Sequence, residues 1–141
     1  MIEIGHRVAY PQAREAVFSA VTDFGGLPAW QADVVEAGLA SPALERGAVV
    51  HQVRKVLGKR TETDLVVSEF VPGEALVLET GDGSKPSVRQ SYRVVADGAG
   101  CVLEFQLRLD GVPKMAEHLA KAQLGKNVPK MFAALGTVLA G

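Results

Sequence analysis

Apolar and polar residues alternate from the start of the chain. Ile2, Ile4, Val8 and Tyr10 fall on one side and Glu3 and Arg7 on the other, the period of two that a half-buried strand requires. Pro11 ends that pattern. From Gln12 to Thr22 the apolar positions are Ala13, Ala16, Val17, Ala20 and Val21, which is helical spacing. Asp23 to Trp30 contains Gly25, Gly26 and Pro28, which predicts a break and then one short helical turn ending near Trp30. Between Asp33 and Asp110 every signal is strand or turn. The predicted strands are Val34–Leu39, Val49–Leu57, Thr61–Phe70, Ala75–Thr80, Ser87–Ala96 and Cys101–Asp110. Turn residues separate them at Gly47, Gly58, Pro72-Gly73, Gly81-Asp82-Gly83 and Asp97-Gly98-Ala99-Gly100. Connections this short make antiparallel hairpins, because parallel pairing needs a long crossover. The closing stretch from Val112 to Ala140 predicts a helix, with Met115, Leu119, Ala122, Met131, Leu135 and Val138 recurring every three or four residues. Pro113 suits its first turn, and Gly125 and Pro129 predict a kink or break midway.

Hairpin registers then assign faces. Pairing Ala96 with Cys101 sets Val94 against Leu103, Tyr92 against Phe105 and Gln90 against Leu107, with Arg93 meeting Glu104 on the other face. A slip of one residue would bury both charges. Closing the preceding hairpin over Gly58-Lys59-Arg60 pairs Val53 with Leu65, His51 with Val67 and Arg54 with Asp64, the last pair outward. On this reading the inner face is apolar, joined by Leu76 and Leu78, and is interrupted by His51, Lys55, Gln90, Tyr92, His6 and Tyr10.

A chain of 141 residues fits one domain, residues 1–141, and its 48% hydrophobic content is enough for a packed core. Fifteen basic against sixteen acidic side chains leave no excess to drive binding to a nucleic-acid backbone or anionic lipid. The single cysteine, Cys101, excludes an internal disulfide and is compatible with a reducing cytosol. No apolar run approaches the ~18–20 residues of a membrane span, and the first residues lack a signal-peptide core, so a cytoplasmic location is expected.

The order strand, helix, short helix, six strands, long helix resembles the helix-grip fold of START-related proteins, in particular their bacterial polyketide cyclase/dehydrase-like group. The resemblance rests on Tyr10-Pro11-Gln12-Ala13-Arg14-Glu15-Ala16-Val17-Phe18, Val21-Thr22-Asp23-Phe24, Leu27-Pro28-Ala29-Trp30, Leu57-Gly58-Lys59-Arg60 and Ser68-Glu69-Phe70-Val71-Pro72-Gly73. It implies an α+β architecture: a curved seven-stranded antiparallel sheet around the C-terminal helix, two short helices after the first strand, and a cavity between sheet and helix. It further implies that Trp30 stands near the cavity mouth and that Met115, Leu119, Met131 and Leu135 line it from the helix. The ligand expected in such a cavity is a small hydrophobic or aromatic metabolite of polyketide type. Aromatase/cyclase or dehydratase activity, a lipid carrier and a partner-recruiting module are the alternatives.

No nucleophile elbow, phosphate loop or zinc-protease motif is present, so any catalysis would be acid–base work by isolated side chains. His51, in mid-strand on the predicted inner face, is the candidate base, or else a strand histidine bonded to a neighbour. Tyr92 is the candidate proton or hydrogen-bond donor, its ring packing on Phe105. His6, Tyr10, Gln90 and Leu107 join the expected ligand wall, and His118 and Lys55 are expected in solvent. The three histidines have no local ligand spacing, so neither a metal nor another cofactor is expected. Cys101 reads as a small buried hydrophobe.

Overall fold

The alternating segment at the start forms β1 (Ile2–Tyr10), and Pro11 closes it. Helix α1 (Arg14–Thr22) and a short 3-10 helix (Phe24–Ala29) follow, turning Val17, Phe18, Val21, Phe24 and Leu27 inward. The remaining strands are β2 (Val34–Leu39), β3 (Val49–Val56), β4 (Lys59–Val71), β5 (Ala75–Thr80), β6 (Ser87–Asp97) and β7 (Gly100–Asp110). Helix α2 (Lys114–Ala140) ends the chain. These coordinates are a computed structural model that describes residues 1–141 apart from Leu57, Asp82, Lys85 and the side chain of Val56. The expectations for Leu57 as a strand end and Asp82 in a turn lie outside the described residues.

The strands form one antiparallel sheet in the order β1-β7-β6-β5-β4-β3-β2. Sequential hairpins place β2 to β7 side by side, and β1 joins β7, so α1 and the 3-10 helix carry the chain from one edge to the other. With α2 packed against β1, α1 and the 3-10 helix, this is the helix-grip arrangement implied by the sequence. The β6–β7 register is as expected: Ala96 faces Cys101, Tyr92 faces Phe105, Gln90 faces Leu107 and Arg93 faces Glu104.

The β3–β4 register differs. Val56 pairs with Lys59, His51 with Asp64 and Arg54 with Thr61. The loop is two residues rather than three, with Gly58 at φ 78°, a backbone that glycine adopts without strain. The resulting odd-numbered shift exchanges the faces of β3 relative to expectation. Val50, Gln52 and Arg54 turn toward the concave side, and His51 turns outward to Asp64. Lys55 is exposed, as expected.

The core centres on Phe132 of α2, which is 0% exposed. Its ring centroid lies 5.4 Å from that of His6, 5.9 Å from Trp30 and 5.1 Å from Phe105. Its carbonyl oxygen accepts a 2.7 Å hydrogen bond from the Tyr10 hydroxyl. One glycine admits this contact: a Cβ on Gly100 would collide with the Tyr10 carbonyl oxygen, whereas one on Gly136 would meet the Tyr10 ring at an ordinary packing distance of 3.4 Å. Helix α2 is continuous through Gly125 and Pro129, so of the expected kink or break the break is absent. Pro129 removes only one backbone donor, and both residues are exposed, on a side of the helix open to solvent.

The burial of Phe132 gives a stability prediction. Phe132→Ala should lower the unfolding free energy in urea by about 3–5 kcal/mol, whereas Tyr10→Phe should cost about 1 kcal/mol. Equal costs for the two would show that the ring is not the anchor.

Candidate functional site

Cross-strand registers arrange the concave face in rows. His6, Phe105, Tyr92 and Leu76 form one row; Ile4, Leu107, Gln90 and Leu78 form the next; Ile2, Leu109 and Val88 form the third. The first row is covered where Phe132 packs, and Gln90 and Leu78 of the second are buried too. Toward the start of α2 the cover is thinner, and Ile4, Leu107, Leu109 and Val88 are only half-buried. On the first half of α2, Ala120 and Leu124 continue the helical spacing of the buried Val128, Phe132 and Leu135 and are also half-buried. At the same end of the sheet a surface depression of about 370 Å³ is lined by Thr80, Gly81, Ser84, Val88 and Arg89, among others. It is open to solvent, unlike the enclosed cavity implied by the family resemblance, and under the C-terminal half of α2 the rings of Phe132, Trp30 and Phe105 pack together.

Beside this apolar wall lies a polar cluster in which Gln90 and Tyr92 were expected on the inner face, whereas Gln31, Gln52, Asp33 and Arg54 were not. Gln31, Gln52 and Gln90 are all buried. The Arg54 guanidinium donates to Gln52 Oε1 from Nε (3.2 Å) and Nη2 (3.0 Å), to Gln31 Oε1 from Nη2 (3.0 Å), and to Asp33 Oδ2 from Nη1 (2.8 Å). The Tyr92 hydroxyl donates to Gln90 Oε1 at 3.3 Å. Burial pushes the Tyr92 phenol up to about 12; the nearby Arg54 charge and the Gln31 hydrogen bond pull it back, and Asp33 adds to the rise. At neutral pH Tyr92 is therefore a hydrogen-bond donor rather than a base. Such a polar cluster can orient the oxygen of a ligand whose body lies on the apolar rows. The sequence does carry one signal for it. A two-residue loop ending in Gly58 is the commoner hairpin, and it brings Gln52 and Arg54 inside.

The anticipated residues are placed as follows. Tyr92, Gln90, His6, Tyr10, Phe105 and Leu107 all face the concave side. Trp30 is buried against Phe132 rather than standing at a mouth, because the 3-10 helix turns it into the core. Met131 is half-buried against the core. Met115 and Leu119 are 98% and 73% exposed and line nothing, because they occupy the side of α2 turned away from the sheet. His51 is on the convex face, where its Nδ1 lies 2.7 Å from Asp64 Oδ1 and its Nε2 lies 3.7 Å from Glu62 Oε1. The inner-face base assigned to His51 is thus corrected by the β3–β4 register. His118 is exposed, as expected. Cys101 is buried, and burial, with Glu15, pushes its thiol up, which leaves it a poor nucleophile. Among the described residues, no His, Cys, Asp and Glu are grouped to hold a metal ion, and no helix is long and apolar enough to cross a membrane.

Two titrations test these placements. The hydrogen bond to Asp64 raises the pKa of His51 above its ordinary 6.5, with smaller contributions from the charges of Asp64, Glu62 and Glu36. In an NMR titration the His51 midpoint should lie above that value and fall in Asp64→Asn; an unmoved midpoint would contradict the pairing. Burial raises both tyrosines above the ordinary 10.0, Tyr10 with a further push from Cys101. A raised folded pKa means stability that is complete below the unfolded value and declines as pH climbs past it. Phenolate absorbance at pH 10 should therefore be nearly absent in the native protein and half-developed in urea. Half-ionisation in the native state would refute the burial of both hydroxyls.

With this geometry in hand, comparison with known proteins places the chain. No curated protein matches the sequence significantly. The fold is similar to that of a START superfamily protein from Mycobacterium smegmatis, with TM-score 0.83 and 15% identity, over 98% of this chain and 97% of that one. It is similar to a STAR-related lipid transfer protein from Xanthomonas axonopodis, with TM-score 0.77 and 15% identity, over 99% and 86%. It is also similar to the Zhui aromatase/cyclase from a Streptomyces species, with TM-score 0.74 and 12% identity, over 98% and 93%. These likenesses establish the fold. The sequence itself matches, over residues 1–140, the model of the family described as polyketide cyclase / dehydrase and lipid transport, and the chain belongs to that family.

Proposed function

We propose that this protein binds a small hydrophobic or aromatic metabolite of polyketide type between the sheet and the first half of α2. The observation that supports this reading is the half-buried patch of Ile4, Leu107, Leu109 and Val88, from two adjacent rows, lying next to the Gln90–Tyr92 pair. An apolar wall of this kind stays incompletely covered in the free protein and is completed by an apolar guest. Tyr92 and the amides of Gln90 and Gln31 then supply donors for a carbonyl or hydroxyl at one end of the guest. His6, Phe105 and Leu107 form the wall nearest to those donors. Trp30, Tyr10 and Met131 act from behind it, as packing.

Turnover is the second reading, and Tyr92 favours it. A phenol held protonated in a buried site can donate to a carbonyl as negative charge develops there. Cyclisation also needs a base, and among the three histidines His6 is the one on the concave face.

Incubation with a panel of aromatic polyketides, poly-β-keto mimics and fatty acids, followed by mass detection, separates the two readings. Retention of one compound unchanged is the expected result, with affinity falling roughly tenfold or more in Leu107→Asp. Because that change can unfold the sheet, Gln90→Leu provides the milder check: it should weaken oxygenated ligands more than their hydrocarbon analogues. Loss of water or a new ring, abolished in His6→Gln, would establish catalysis. Retention of nothing, with no ligand raising the melting temperature, would remove the proposal.

A further inference from the structure

The outward side of α2 does not look like a solvated helix face. Met115 and Leu119 are 98% and 73% exposed, the two largest exposures among the big apolar side chains, and Ala122 continues their stripe one turn on. Residues three or four apart share a face, so the three are adjacent. Lys126 and Lys130 extend that stripe along the helix, and Lys114 and Lys121 lie to one side of it, around the surface that also carries Glu117 and His118; all four lysines are exposed. Over residues 114–140 four lysines stand against one glutamate, a net +3 in a chain whose net charge is -1. The whole-chain balance, which argues against anionic partners, therefore conceals a segregated basic element. The one acid, Glu117, is turned away from the stripe and lies 3.5 Å from the amino group of Met1.

We infer that the outward face of α2 docks on an anionic lipid-bilayer surface. An exposed apolar stripe on a helix with lysines beside it and in line with it is the pattern that settles at the headgroup boundary, the apolar residues entering and the lysines meeting lipid phosphates. A second copy of the chain fits the face poorly, because a two-fold pairing of α2 would set lysine against lysine. The inference goes beyond metabolite binding and stands without it. It also gives that reading a direction, since the same half of α2 covers the incompletely buried wall.

Co-sedimentation with vesicles tests the inference. The protein should pellet with vesicles of phosphatidylcholine and phosphatidylglycerol, remain free with phosphatidylcholine alone, and release as salt is raised. Met115→Asp/Leu119→Asp and Lys121→Glu/Lys126→Glu should each weaken partitioning roughly tenfold or more. All four positions are exposed, so melting temperatures should hold. Lys59→Glu/Arg60→Glu, an equal charge change at the distant β3–β4 hairpin, should leave partitioning intact. Absence of binding to anionic vesicles, equal binding by all variants, or a stable dimer abolished by the Met115/Leu119 substitutions would overturn the inference.

Discussion

The structure depends on how one aromatic residue of the last helix meets the sheet. Phe132 is stacked against His6 and tilted against Trp30 and Phe105, while Tyr10 bonds its carbonyl oxygen. Residues from β1, the 3-10 helix and β7 therefore converge on one turn of α2. The edge strand, the connecting helix and the sheet interior are tied to a single point. Gly100 is the local requirement for that convergence, since a side chain there would collide with the Tyr10 backbone. Trp30 follows from it too, drawn into the core instead of facing a ligand.

Anchoring at Phe132 divides α2 into unequal halves. Beyond Val128 the inward positions Phe132 and Leu135 are sealed, whereas Ala120 and Leu124 in the first half are half-buried over a wall that is itself half-buried. The polar cluster of Arg54 and the glutamines sits beside this less covered region. Burying such groups costs free energy unless each finds a partner, and Arg54 supplies four hydrogen bonds to its neighbours. The arrangement is therefore preorganised: a ligand oxygen would meet donors already held in place. Apolar wall, fixed donors and thin cover are consistent with a family described by cyclase, dehydrase and lipid-transport roles.

Most of the fold was readable from the residues, and the exceptions share a cause. The β6–β7 register was legible because only one alignment keeps Arg93 and Glu104 outside while burying Leu103 and Phe105. β3 was ambiguous, since Val49, Val50 and Val53 place valine on both faces and hydrophobicity alone prefers Gln52 and Arg54 outside. Tertiary context chose otherwise, burying the polar residues where the cluster forms, the kind of local violation expected at a working site. Helix α2 misled for a related reason. Met115 and Leu119 recur at helical spacing and so read as lining, yet the stripe through Ala120, Leu124, Val128 and Leu135 is the one that faces the sheet. Periodicity shows that a helix has an apolar side. It does not say which of two such sides the sheet will take.

The unequal anchoring of α2 is the claim from which the rest follows, and amide hydrogen exchange resolved along the helix tests it directly. Protection should be high from Val128 to Leu139 and should fall across residues 114–127, where few buried contacts oppose opening. Ligand binding should raise protection in that first half and leave the second nearly unchanged. Uniform protection along all of α2 in the free protein, or a ligand response centred on Phe132, would contradict the account.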